Sequence, residues 1–431
     1  MEPSETARNP GVLDIRAMNQ NEPAWRKLKH WSTVELDSEE VARQACALIL
    51  DFEAHPEKYT TPEDFFTSPF HHIVGLFQQP TAQEAADTLK AEALPALLRL
   101  YDARLREWRK VGPRKDYDRD ANDLLFALKI FAMYRGEESL QRIIDAARIP
   151  LDSDDPMWSV ILSALVEFEL EAATRVAAAL REPLPPGFIA KALLDMANTL
   201  SREHGVAFHP FDSTQGRELL RAFLTDKDPE HFSYAHSATA SMPFLPDSGE
   251  LLALAQEHPD VVVRMEAAWA AAWRGDALAL GRLQEWSKDP KTRRRAVIYL
   301  KELGSQPAPV KEEERPLLDA MAEMSQWLEH PMELGRAPDH LELYDHRRLF
   351  WPPTNDERDV WLFHYRYEGD TPEEGVGMVG SVTFALFGEA TAALPPEDIY
   401  ALHCVWELQQ KGDKRAPKER TAQAGRNLLG L

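Results

Sequence analysis

The sequence predicts a mainly α-helical protein, an α-α superhelix of stacked helix pairs with a small C-terminal α+β module of two strands and a helix. Three observations predict it. A short pattern occurs twice in register, from Arg264 through Ala267 to Gly275 and from Arg293 through Ala296 to Gly304, at an offset of 29 residues. Self-similarity at that period marks solenoids in which each helix pair buries its apolar face against the next. Between Ala121 and Gly304 apolar residues recur at helical spacing with only short breaks. Beyond Gly304 the character changes: Val360–Tyr367 alternates with period two, and Ser381–Phe387, rich in β-branched and aromatic residues, reads as a second strand.

Bulk composition agrees. A chain of 431 residues has room for two or three domains. An apolar share of 44% supports a packed core, and 9% aromatic residues argue against disorder. Lys and Arg number 49 against 71 Asp and Glu, a net charge of −22. Such a surface repels phosphate backbones, so nucleic acid is not an expected partner. The charge either aids solubility or complements a basic protein. No apolar run reaches the length of a membrane span, and the opening MEPSETARNPGVLD lacks the charged start and apolar core of a secretion signal. Cys46 and Cys404 fall in different predicted domains, so no structural disulfide is expected and the cytoplasm is the expected compartment.

Residues 1–37 read as an N-terminal extension without clear periodicity, and the helical solenoid as 38–304. Ser38 is placed to cap a helix whose first turn holds Glu39 and Glu40 and whose face holds Val41, Ala45, Leu48 and Ile49. A further helix runs from Thr81 to about Arg109, followed by a polar linker closed by Gly112-Pro113. Leu124 to Tyr134 is the next helix, ended by Gly136. Ser139 to Arg148 follows, with a stripe of Leu140, Ile143, Ile144 and Ala147. The join Tyr134-Arg135-Gly136-Glu137 matches Trp273-Arg274-Gly275-Asp276, where Gly can turn left-handed and an acid begins the next helix. Asp155-Pro156, Asp228-Pro229 and Asp289-Pro290 each suit a helix start, as does Pro259-Asp260 in inverted order.

Within the clearest repeat, Val263, Ala267, Ala270 and Ala271 share one helical face, and Ala279, Leu283 and Trp286 share a face of the next helix. This stretch resembles the HEAT-repeat family, in particular the short bacterial form of lyase-like HEAT proteins, over about 258–304 and more loosely over 121–148. The resemblance implies an α-solenoid whose inner helices form a concave binding surface. It also implies a structural Arg at Arg264 and Arg293, paired with an acid or a helix end, with Ala267, Gly275, Ala296 and Gly304 as the other repeat positions.

The segment 305–340 reads as a linker and one helix, Leu317 to His330, and 341–411 as the α+β module. Its first strand alternates with Trp361, Phe363, Tyr365 and Tyr367 on one side, and its helix begins at Leu394-Pro395-Pro396-Glu397 with Ile399, Leu402 and Trp406 on one face. Residues 412–431 read as a basic, mobile tail.

Motifs that could carry chemistry point to structure instead. Gly375, Gly377 and Gly380 spell G-x-G-x-x-G, but acids precede the string and a strand follows it, whereas dinucleotide binding needs a strand before and a helix after. A glycine-rich hairpin connection or bulge is expected. His204, His209 and Asp212, and likewise His340, Asp345 and His346, lack zinc-site spacing. The pairs Glu203-His204, Glu257-His258 and Glu329-His330 reverse the His-Glu order of di-iron HEAT enzymes. His403 and Cys404 are adjacent on a helix and point about 100° apart, so they do not form a nucleophile and base. No catalytic residue, cofactor or metal is therefore expected. The expected function is non-enzymatic: a scaffold or adaptor that binds another protein, a basic one by charge, with Trp286, Phe350 and Trp351 as candidate contacts. An acidic immunity or inhibitor protein and an enzyme of unrecognised type are the alternatives.

Overall fold

Helices dominate the chain because its apolar residues recur at helical spacing and its acids stand where helix N-termini need them. The structure, a computed structural model, describes residues 22–59, 68–78, 82–114, 118–134, 136–149, 151–330, 332–369, 372–412, 414 and 420–431. It divides between Val263 and Arg264, inside a helix, into two compact units.

The first unit holds α1 (Ala24–Trp31), α2 (Glu39–Ala54), α3 (Pro69–Gln78), α4 (Gln83–Thr88), α5 (Leu94–Val111), α6 (Arg119–Met133) and α7 (Glu137–Ala146). These are followed by α8 (Met157–Phe168), α9 (Leu170–Ala179), α10 (Gly187–His204), α11 (Thr214–Thr225), α12 (Phe232–Ala240) and α13 (Gly249–Gln256). The expected N-terminal extension lies partly outside the described residues; its described part contains α1, which buries Leu28 and Trp31. Ser38 caps α2 as expected, its hydroxyl accepting the Val41 N–H. The single helix expected from Thr81 to Arg109 is instead α4, a π turn over Leu89–Ala93, and α5. Pro95 explains the interruption: it has no N–H to donate, and its ring collides with the preceding turn unless that turn widens.

Asp118 caps α6 by accepting the Asp120 and Ala121 N–H groups, while its other oxygen takes the Trp108 indole N–H at 2.9 Å. Arg142 of α7 reaches Asp102 of α5 with two bonds, 2.9 and 2.6 Å. Gly136 departs from expectation: its φ is −146°, extended rather than left-handed, and it is the residue before α7 rather than a helix stop. Asp155, Asp228 and Asp260 cap as expected, accepting from Met157, Glu230 and Val262.

The second unit begins within α14 (Val261–Trp273) and continues through α15 (Ala277–Trp286), α16 (Pro290–Glu302) and α17 (Arg315–Glu329). The duplicated sequence pattern closes two helices with one kind of turn. Gly275 and Gly304 have φ of +95° and +66°. The residue after each glycine donates back to a carbonyl five residues earlier, Asp276 to Ala271 at 3.1 Å and Ser305 to Leu300 at 2.8 Å. That bond with a left-handed glycine is the Schellman closure. Asp276 and Asp289 then cap α15 and α16. Gly275→Val is expected to cost about 1–2 kcal/mol, because a branched side chain is strained at positive φ. No atom outside its immediate neighbours lies within 4 Å of a Cβ there, so strain alone would act. A melting temperature unchanged by the substitution would contradict this.

Four strands follow: β1 (His340–Trp351), β2 (Asp356–Tyr367), β3 (Glu373–Val379) and β4 (Phe384–Phe387), all antiparallel, in the order β1-β2-β3-β4. The chain ends with α18 (Glu389–Ala392), α19 (Pro396–Gln410) and α20 (Ala422–Leu429). The expected two-strand module is thus a four-stranded sheet with a helix on each face. Phe363, Tyr365 and Tyr367 of β2 pack with Ala320, Met324 and Leu328 of α17, and Trp361 joins them. The alternate residues Val360 and Leu362 pack with Ile399, Tyr400 and Cys404 of α19. Period two therefore places the aromatic row on one face, as the sequence indicates. The expected mobile tail is corrected where described: Thr421 caps α20, and Arg426 Nε donates to Asp398 of α19 at 2.7 Å.

Candidate functional site

The first unit holds a cleft of about 860 Å³. Its floor is set by Phe77 of α3 and Tyr134 just past α6, whose rings meet edge to face at 4.5 Å. The Tyr134 hydroxyl donates to the Phe77 carbonyl at 3.2 Å, and burial pushes the phenol up to about 12, so it stays protonated. One wall is α8, whose residues Ser159, Ser163 and Glu167 and residues Val160, Ala164 and Phe168 form two adjacent rows of spacing four facing the space. Val160 is 42% exposed and Phe168 50%. The opposite side supplies Gln83, Asp87 and Lys90, with Lys129 from α6. Gln83 donates to Asp87 at 3.0 Å. The cleft thus combines exposed apolar surface with charges of both signs. It can grip an amphipathic segment through its apolar side and orient it through Asp87, Glu167, Lys90 and Lys129.

Sequence reasoning missed this wall. In MWSVILSALVEF the buried face is Trp158, Ile161, Leu162 and Leu165; Ser159, Ser163 and Glu167 mark the open face, but Val160 and Phe168 beside them are as apolar as the core, so the sequence does not single them out as exposed.

The three expected contact residues do not come together as a surface. Trp351 is corrected outright: it is fully buried, and its indole N–H donates to Glu407 at 2.8 Å. Its neighbour Phe350 is 47% exposed near the end of β1, because successive strand residues face opposite sides. Trp286 is half-buried at the end of α15, where its carbonyl accepts from Thr292 at 2.8 Å. Ala267 and Ala296 are fully buried, and Arg293 donates to Asp319 of α17 at 2.7 Å and to the Ser287 carbonyl at 2.5 Å.

The histidine groups are dispersed. His209 is buried, with Nε2 3.2 Å from the Asn198 side-chain oxygen and Nδ1 accepting from Phe211, and burial pushes its pKa down to about 4. His204 is exposed, and Asp212 pairs with Arg217 at 2.9 Å. On β1, His340 lies 2.9 Å from Glu368, Asp345 accepts from Arg347, and His346 stacks on Trp361 at 3.6 Å. Among the described residues, no group of three or more His, Cys, Asp or Glu side chains is placed to hold a metal ion. Both cysteines are buried and neither is in a disulfide, and burial together with Glu92 pushes the Cys46 thiol up to about 11.

Gly375 and Gly377 lie within β3, not in a loop, and β4 rather than a helix follows. That geometry removes the dinucleotide reading and also corrects the expected glycine-rich connection, which survives only at Gly380. Among the described residues, no helix is long and apolar enough to cross a membrane. No known protein family matches the chain, and neither does any curated protein or solved structure.

Proposed function

We propose that this chain is a non-enzymatic scaffold or adaptor whose first unit holds a segment of another protein in the α3–α4–α6–α8 cleft. The observation that carries the reading is the exposure of Val160 and Phe168 on a cleft wall next to Asp87, Glu167 and Glu169. Exposed apolar side chains among charges of both signs, Lys90 and Lys129 as well as Asp87, Glu167 and Glu169, suit an amphipathic partner segment, and the excess of carboxylates favours basic flanks on it. The net charge of −22 favours the same sign of partner. We also propose that the helix pairs stack as HEAT-like repeats. The recurrence of one Schellman turn, at Gly275 and Gly304, and of one Asp cap, at Asp260 and Asp289, each 29 residues apart, supports that reading.

The charge favours a second reading, an acidic inhibitor that neutralises a basic partner. One experiment tests both. A basic amphipathic peptide selected by display against the full chain is bound to wild type and to Val160→Asp and Phe168→Asp, at low and at physiological salt. Each substitution is expected to weaken binding by about tenfold or more, because it places a charge against an apolar anchor. Equal binding by the variants would end the cleft reading. An association rate indifferent to salt would end the charge-neutralising reading.

A further inference from the structure

Along the cleft of the first unit, α8 presents a face of defined shape. Val160, Ser163, Ala164 and Glu167 all line the space and stand at i, i+3, i+4 and i+7. Four residues at that spacing are the corners of one hole, into which a facing helix inserts a single side chain. The two central corners, Ser163 and Ala164, are small, so the hole is deep and a helical backbone can come close. Val160 and Phe168, both exposed, bracket it about 12 Å apart along the axis, a little over two helical turns.

The walls select the conformation of an occupant. They come from α3, α4, α6, α8 and the π turn after α4, whose backbone N–H and C=O groups are spent within the helices. An extended segment would find no strand edge there to pair with, whereas a helix satisfies its own backbone and needs only side-chain contacts. The charges select the flanks of that helix. Glu167 is itself a corner of the hole, and Asp87 and Glu169 also line the cleft. Lys90 and Lys129 line it too, and neither takes part in an ion pair among the described residues.

We propose that the partner segment held by this cleft is an amphipathic α-helix. It lies along α8 and inserts one large apolar side chain into the hole formed by Val160, Ser163, Ala164 and Glu167. A Lys or Arg beside that anchor meets Glu167, and an Asp or Glu meets Lys90 and Lys129. The inference rests on the cleft being the surface through which this chain binds another protein.

The test uses the full chain and a display library of random peptides about fifteen residues long, enough for four helical turns and free of any built-in conformation. Binders are ranked on wild type and on Val160→Asp, and those that prefer wild type are scanned with alanine. The costly positions are expected at i, i+3 or i+4, and i+7, one helical face, with a loss of about tenfold or more at the central anchor. Proline at a middle position where alanine costs nothing removes no contact, yet should weaken binding about tenfold or more because it breaks a helix. The Cα chemical shifts of the labelled peptide in the complex should be those of a helix. Ser163→Trp alters an exposed position and fills the hole, so it should lower affinity about tenfold or more. Costly positions at i, i+2 and i+4, tolerance of the proline, extended-chain shifts, or unchanged affinity in Ser163→Trp would each overturn the helix while leaving the cleft in place. Selection of no peptide that prefers wild type to Val160→Asp would overturn the cleft itself, and the helix with it.

Discussion

Gly375→Ala is expected to destabilise the C-terminal unit by about 3 kcal/mol or more, at the upper end of overpacking costs, while Gly377→Ala costs about 1 kcal/mol. The two glycines are two residues apart on β3 and point to the same face. A Cβ on Gly375 would stand 2.1 Å from the Leu386 carbonyl oxygen and 2.4 Å from the Tyr365 hydroxyl. Those two atoms are themselves bonded at 3.0 Å. Relief would require β3 and β4 to part, and the Tyr365–Leu386 bond would break with them. A Cβ on Gly377 would meet Met324 at 2.1 Å from its sulfur. That sulfur belongs to a flexible side chain that can rotate away. Urea unfolding of each variant measures the contrast, and equal losses would show that the sheet yields at both positions. The G-x-G string is then an adaptation to a Tyr and a Met lying across a strand.

This motif shows what the sequence made legible and what it did not. Trp361, Phe363, Tyr365 and Tyr367 alternate cleanly, so β2 and its buried face followed from period alone. β1 did not, for two reasons. It is an edge strand carrying Asp345, His346, Arg347 and Arg348, charges that guard an exposed edge against pairing with other chains but erase the apolar alternation. It also changes register between Leu343 and Asp345, which breaks the phase within the strand. β3 was hidden because glycines and acids carry little strand signal. The helix ends were legible where a side chain caps them, at Ser38, Asp155, Asp276 and Asp289, since a cap is a local interaction. Gly136 and Gly275 stand in similar local sequences, Tyr-Arg-Gly-Glu and Trp-Arg-Gly-Asp, yet have φ of −146° and +95°. The surroundings of α19 were half legible. Ile399, Leu402 and Trp406 were placed on one face, but His403 meets its partner, the Val382 carbonyl, only through the fold, which no local pattern encodes.

Glu407→Ala is expected to cost about 3 kcal/mol, because it removes the acceptor on which a buried network converges. Glu407 is 1% exposed. One of its oxygens accepts from the Trp351 indole and from the Ser381 hydroxyl, each at 2.8 Å, and Lys411 Nζ lies 3.2 Å from the other. Lys411 also donates to the Pro353 carbonyl at 2.8 Å. One carboxylate thus ties the turn after β1 and the segment after β3 to α19. Without it, the Trp351 N–H is left buried and unpaired. The pH dependence separates this group from its neighbour. Burial opposes the charge on Glu407, but the bonds from Trp351, Ser381 and Lys411 outweigh it and hold the carboxyl below its ordinary range. A folded value below the unfolded one means that the contribution is full above pH about 4.3 and lost as pH falls through the folded value. His403 acts earlier: unfolded, it takes a proton near pH 6.5, whereas folded it resists until about 4, so stability drains across that window. The stability difference between wild type and Glu407→Ala should therefore stay nearly level from neutral pH to about 5 and close only in stronger acid. Calorimetric unfolding of both proteins at a series of pH values measures it. A difference that already closes between pH 6.5 and 5 would assign the network to His403 rather than to the carboxylate.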